Sequence, residues 1–230
     1  MTYKILRIIP QKRKERVNLI FENNEVLGIS IFLLDKFNLQ ENTVLTANQL
    51  IKIVKKDLFQ RGKDKALKFL SFRPRSINEI KSRLKEYFFK ILAAEQKEKK
   101  NFLKKLDLDF ANQTIEKIII WLEKQRLVDD LVFSCWWIDQ RKRFKAASKK
   151  QIVWELRKKG IGRELIEKAF LNSHFSELEN AKELIRRRLK KSISKLEINK
   201  LKKKLWQWLS AKGFSYQTIK QAIDEELNFE

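Results

Sequence analysis

A chain of 230 residues with 43% hydrophobic content is long enough to bury a core, and only 5 Gly and 2 Pro point to mostly helix joined by short turns. Its 52 Lys and Arg against 29 Asp and Glu leave a formal charge of +23, which attracts nucleic acid or an acidic protein and opposes self-association, so a monomer is expected. One cysteine excludes an intramolecular disulfide and suits a reducing cytoplasm; no stretch approaches the roughly 20 apolar residues of a membrane span, and the opening residues lack an apolar signal region.

Residues 1–60 read as a β-rich region plus a helix. Segments 3–9 and 16–21 are β-branched and aromatic, Val17, Leu19 and Phe21 alternate, and Asn23-Asn24 offers a tight turn into 26–29, predicting a small antiparallel sheet. Residues 30–37 form a short helix. Thr46 and Gln49 cap a longer one that continues through Leu50, Ile53, Val54 and Leu58 toward Gly62.

The remaining chain reads as three units of three helices. The first, over 61–128, holds helices 66–72, 76–89 and 114–124, with a Lys- and Glu-rich insertion at 90–113. The second, 129–173, holds 130–144, 148–159 and 162–171; the third, 174–230, holds 175–191, 196–212 and 215–227. The last two units share a block offset by 53 residues, which pairs Leu156 with Leu209, Gly160 with Gly213, Ile166 with Ile219 and Ala169 with Ala222. Each copy is a helix, a glycine in the left-handed conformation that stops it, and a second helix; Ser215 caps the one after Gly213. A weaker copy upstream puts Leu84 in the place of Leu156 at an offset of 72, with Phe88 where the glycine belongs. Ser76 and Glu79 form a capping box after Pro74. The fold class is therefore mainly α, tandem three-helix repeats with a small N-terminal β-hairpin or sheet, and such stacks make an elongated binding surface rather than a catalytic pocket.

Two windows concentrate positive charge. Residues 139–163 include Arg141, Arg143, Lys149, Lys150, Arg157, Lys158 and Lys159; residues 181–204 include Arg186, Arg187, Arg188, Lys202 and Lys203. These are the candidate residues for binding DNA or an acidic protein surface. Many lysines merely solvate outer helix faces, but guanidinium forks match phosphate and carboxylate, and three consecutive arginines span most of a helix's circumference. Trp136, Trp137, Trp154, Trp206 and Trp208 lie within apolar helical patterns and read as core; one of the adjacent pair must point partly away. Asp129-Asp130 precedes a helix and reads as a cap rather than a metal site. Cys135 reads as a core thiol. His174, the only histidine, has no ligand set, and no phosphate-binding glycine loop appears, so no catalytic residue, metal or cofactor is expected.

The motifs now resemble a known family. Arg73-Pro74-Arg75-Ser76 with Glu79, Ile80 and Leu84; Leu122, Arg126-Leu127 and Asp129-Asp130 followed by Phe133, Trp137, Ile138 and Arg141; Glu155-Leu156 with Gly160-Ile161; and Leu209 with Gly213-Phe214-Ser215 occur in the order seen in the RecX family, bacterial regulators of RecA recombinase. Phe88, Ser134 and the 90–113 insertion depart from that pattern. The resemblance implies an elongated, curved body lying in the groove of the RecA filament on single-stranded DNA, a cytoplasmic protein that inhibits filament extension, ATPase and strand exchange. Double-stranded DNA is a further partner class. The alternative is an autonomous basic DNA-binding protein whose glycine-hinged helix pairs act as helix-turn-helix modules without RecA; a nuclease would need a carboxylate cluster that the sequence does not announce.

Overall fold

The computed structural model describes residues 2–12, 15–97, 107–191 and 198–227. The middle of the expected insertion, 98–106, and the expected helix start at 196 lie outside them. The described chain is mainly helical, with tandem three-helix repeats and a small N-terminal antiparallel sheet.

The sheet is built from β1 (Thr2–Pro10), β2 (Arg16–Phe21), β3 (Val26–Ser30) and β4 (Val44–Thr46), ordered β3-β2-β1-β4. Val17 pairs with Ile29 and Leu19 with Leu27, so the alternating residues of β2 and β3 fall on one buried face with Tyr3 and Ile5 of β1. Asn24 turns the β2–β3 hairpin at φ 61°. β4 escaped sequence reading because three residues carry no visible alternation. Helix α1 (Ile31–Lys36) follows β3, and α2 (Ala47–Leu70) begins at Thr46, whose hydroxyl and backbone N–H complete the expected capping box with Gln49. Buried Asp57 on α2 accepts from both terminal nitrogens of Arg16 at 3.1 and 3.0 Å and from the Ser30 N–H at 2.9 Å, fixing the helix to the sheet.

The expected break at Gly62 is absent. α2 runs without interruption to Leu70, so the separate helix at 66–72 is its last part. Gly62 is instead a crossing point: a Cβ there would stand 2.5 Å from Ile118 Cδ1 and 2.9 Å from Phe88 Cζ. Phe88, placed where the later copies have glycine, uses that room inside α3 (Ile77–Lys97), and Ile118 does so from α4 (Leu108–Lys124). α3 therefore extends well past its expected end at 89, and α4 starts six residues before 114, capped by Asp107. Ile80, Leu84, Phe88, Ile115, Ile118 and Leu122 supply the core between these helices.

The second repeat comprises α5 (Asp130–Lys145), α6 (Lys149–Lys158) and α7 (Arg163–Asn172); the third comprises α8 (Glu177–Lys191), α9 (Ile198–Ala211) and α10 (Tyr216–Leu227). The three apolar pairs named for the 53-residue offset are buried: Leu156 and Leu209, Ile166 and Ile219, Ala169 and Ala222. Gly160 and Gly213 take φ of 81° and 84°, and in both the residue after the glycine donates its N–H back to the leucine carbonyl, Ile161 to Leu156 at 3.1 Å and Phe214 to Leu209 at 3.2 Å. These are the same helix stop made twice. Two compact units result, Met1–Arg73 with Ile80–Gln125, and Pro74–Glu79 with Arg126–Glu230.

The second unit is joined by one device used twice. The buried Ser76 hydroxyl donates to the Lys159 carbonyl at 2.8 Å, and the Ile77 N–H donates to Asp130 Oδ1 at 2.9 Å. One repeat later, the buried Ser148 hydroxyl donates to the Lys212 carbonyl at 2.7 Å and the Lys149 N–H to Glu177 Oε1 at 2.8 Å. In each joint a serine N-cap reaches the carbonyl just before the next repeat's glycine, and a carboxylate from that repeat's first helix takes an orphan N–H of the capped helix. Asn180 adds a buried bond from its side-chain N–H to the Ala147 carbonyl at 2.8 Å. Start of α3 thus sorts with the second unit because its polar groups are satisfied there.

Candidate functional site

The positions read as caps act as caps. Asp129 Oδ1 accepts from the Leu131 and Val132 N–H groups at 2.7 and 3.0 Å, Ser76 and Glu79 bond reciprocally at 3.2 Å, and Ser215 Oγ accepts from the Thr218 N–H. Asp130 is used at the repeat joint. These residues, with Gly160 and Gly213, place the basic side chains.

Most of the basic candidates are held by the protein itself. Arg141 Nε donates to Glu155 at 2.5 Å, with side chains only 19% and 14% exposed, and its guanidinium lies 4.1 Å from the Trp137 ring centre. Lys159 pairs with Glu79 at 2.8 Å and also covers Trp137. Arg143 pairs with Asp139 at 2.9 Å and Arg187 with Glu183 at 2.7 Å, both one helical turn apart. Arg186 forks onto Glu226 with contacts of 2.6 and 2.9 Å, and that bond holds its guanidinium pKa above the ordinary value. Arg188 stacks over Trp208 at 4.5 Å, Lys158 over Trp154 at 3.8 Å and Lys149 over Phe170 at 5.2 Å. Lys202 is half-buried. Among the described residues, Lys150, Arg157 and Lys203 are the candidates with neither a carboxylate nor a ring partner; all three are exposed.

The arginine run thus does not present three free charges. Arg186 and Arg187 are turned toward acids, and the neighbouring Lys182 joins Glu179 and Glu225. The bond from Lys182 holds the Glu225 carboxyl below the usual carboxylate range, so this pairing is complete above that range and is lost as pH falls through the lowered value. Lys150 and Arg157, by contrast, lie on α6 beside a groove bordered by Trp154 and Phe214.

The tryptophans divide. Trp136 and Trp137 pack on the second repeat's core, each with its ring centre 5.9 Å from Phe133, and Trp206 and Trp208 pack on the third's. Trp154 departs from the core reading: it is 56% exposed. α6 buries Ile152 and Leu156, four residues apart, and the residue midway between them falls on the opposite side of the helix.

Cys135 is half-buried against the second repeat's core and donates its S–H toward the Ala169 carbonyl at 3.8 Å. Burial pushes its thiol pKa up, and the Asp129 charge adds to that. Because the thiolate is the nucleophile, iodoacetamide should modify native Cys135 at least on the order of tenfold more slowly than in concentrated guanidinium. Intact-mass measurement over time checks this; equal rates would refute the packed thiol. Among the described residues no three His, Cys, Asp or Glu side chains gather as a metal site, and no helix is long and apolar enough to cross a membrane.

Comparison with known proteins follows the same outline. Models of the second and third three-helix domains of RecX match residues 129–169 and 176–223. Regulatory protein RecX of Clostridioides difficile (strain 630) is 29% identical over 228 residues, covering 98% of this chain and 97% of that protein. Its counterpart in Bacillus subtilis (strain 168) is 27% identical over 224 residues, covering 96% and 76%. A crystal structure of regulatory protein RecX superposes with a TM-score of 0.62 at 25% identity, covering 96% of this chain and 99% of that one. RecX from Lactobacillus salivarius shares the fold, with a TM-score of 0.57 at 22% identity over 76% of this chain and 99% of that one. With both repeat models matched in sequence order, and relatives and a solved fold aligned along nearly the whole chain, the protein is similar to RecX proteins over nearly its whole length.

Proposed function

We propose that this chain is a regulator of RecA recombinase that binds the RecA filament on single-stranded DNA through the basic faces of its repeats and inhibits filament extension, ATPase and strand exchange. The observation that carries this reading is the repeat construction itself, shared along nearly the whole length with proteins named regulatory protein RecX. A family member of this kind is a regulator rather than an enzyme, and ATP hydrolysis belongs to its partner. In the same reading residues 61–128 are the first repeat, 129–173 the second and 174–230 the third, acting as a monomer in the cytoplasm. The formal charge of +23 supplies long-range attraction to a phosphate-bearing filament, and affinity should fall steeply with salt if several contacts are to phosphates.

The test is the single-stranded-DNA-dependent ATPase of the cognate RecA, titrated with this protein at fixed moderate salt beside a binding titration on the naked DNA. Inhibition is expected well below the concentrations that bind naked DNA. Inhibition only at DNA saturation would instead support an autonomous DNA-binding protein competing for the substrate.

A further inference from the structure

The joint between the second and third repeats holds a groove of about 730 Å³ that repeat packing alone does not require. Its walls include Val153 and Trp154 of α6 and Phe214 after the glycine stop, with Lys150, Arg157 and Ser215 at its border. At an offset of 72, the first copy has Asn78, Ser82 and Lys85 in the positions of Lys150, Trp154 and Arg157. The glycine stops reflect the difference. A Cβ on Gly160 would stand 2.6 Å from Asn78 Cβ, whereas one on Gly213 would have 3.5 Å to Lys150 Cβ.

The groove pairs an apolar interior with an excess of positive charge, Lys149, Lys150 and Arg157 against Glu177. Trp154 is largely exposed, and Lys150 and Arg157 have no carboxylate partner among the described residues. The one acid on its wall, Glu177, has its oxygens engaged by the Lys149 N–H at 2.8 Å and the Thr218 hydroxyl at 3.1 Å. Hydrogen-bonding groups for a base edge are scarce: the Ser215 hydroxyl is bonded to Thr218 at 2.7 Å, and one face of Trp154 is already covered by Lys158.

We propose that this groove receives an apolar side chain carried on an acidic segment of the protein partner. The side chain packs on Val153, Trp154 and Phe214, and flanking carboxylates pair with Lys150 and Arg157. Burying a large aromatic wall beside an arginine is the usual composition of a binding hot spot. The inference rests on the reading above, in which that partner is the RecA filament.

Trp154→Ala, Trp154→Phe and Arg157→Glu test it, each first matched to the unchanged protein in far-ultraviolet circular dichroism and melting. Binding is measured to cognate RecA filaments on a fluorescent oligo-dT and to the same oligo-dT naked. Trp154→Ala and Arg157→Glu should each lose on the order of tenfold in filament affinity, Trp154→Phe should retain most of it, and Trp154→Ala should leave naked-DNA affinity within about twofold. Equal losses on both probes would make the groove a base-stacking site and overturn the proposal. Undiminished filament binding by both charge and ring variants would overturn it while leaving the RecA reading intact. Absence of filament binding by the unchanged protein would overturn both.

Discussion

Gly160→Val is expected to destabilise the second unit by roughly 2 to 5 kcal/mol, from about 1–2 for left-handed strain and about 1–3 for overpacking. Both terms come from the same position. φ at Gly160 is 81°, where a β-branched side chain is strained, and a Cβ would lie 2.6 Å from Asn78 Cβ and 2.8 Å from Asn78 Cγ. The contact is with the root of Asn78, so a rotamer change does not relieve it; α3 must shift, and with it the Ser76 bond to Lys159. Gly213→Val is the internal control. Its φ of 84° imposes the same strain, but the nearest atoms are Ser148 Oγ at 3.2 Å and Lys150 Cβ at 3.5 Å, so the overpacking cost is small. Urea denaturation followed by circular dichroism should place Gly160→Val clearly below Gly213→Val in midpoint. The reverse order would refute the crowding argument. Because a domain is stable by only about 5–15 kcal/mol, the larger loss is enough to leave a substantial unfolded fraction on warming.

What was legible in the sequence was what neighbours along the chain dictate. Leu156, Ile166 and Ala169 and their copies sit at helical spacing around a glycine, and their burial follows from that period. The caps at Ser76, Asp129 and Ser215 were equally local. Gly62 misled because a glycine between apolar segments looks like a stop, whereas its cause lies in Phe88 and Ile118 on two other helices. Charge pairing has the same non-local side. The pairs Asp139–Arg143 and Glu183–Arg187 stand four residues apart and were there to be seen, but Glu226 meets Arg186 across 40 residues and Glu155 meets Arg141 across a turn between helices. A window that counts cations does not count acids arriving from elsewhere. The cationic charge without an ion-pair or ring partner is consequently less than the composition suggests, and among the described candidates it stands at Lys150, Arg157 and Lys203.

Glu155→Ala should cost on the order of 3 kcal/mol, since truncating one member of a mostly buried pair leaves the other charge desolvated without compensation. Glu155 Oε2 accepts from Arg141 Nε at 2.5 Å and from the Trp137 indole N–H at 2.8 Å, and Oε1 accepts from Gln151 at 3.4 Å. Its loss takes the acceptor from three donors, and the Arg141 guanidinium over the Trp137 ring keeps its charge without that carboxylate. Glu155→Gln keeps an acceptor for the indole and should cost less. Arg141→Ala with Glu155→Ala should cost clearly less than the sum of the single changes, because the second removes the charge that the first strands. Urea denaturation of the four variants checks this; strict additivity would show that the pair does not act as a unit. Under the proposed function, fold and interface separate: any loss of RecA inhibition in Arg141→Ala should follow its unfolded fraction and recover on cooling toward the temperature of maximum stability. In Arg157→Glu, whose side chain has no ion-pair or ring partner among the described residues, a loss should persist while the protein remains fully folded.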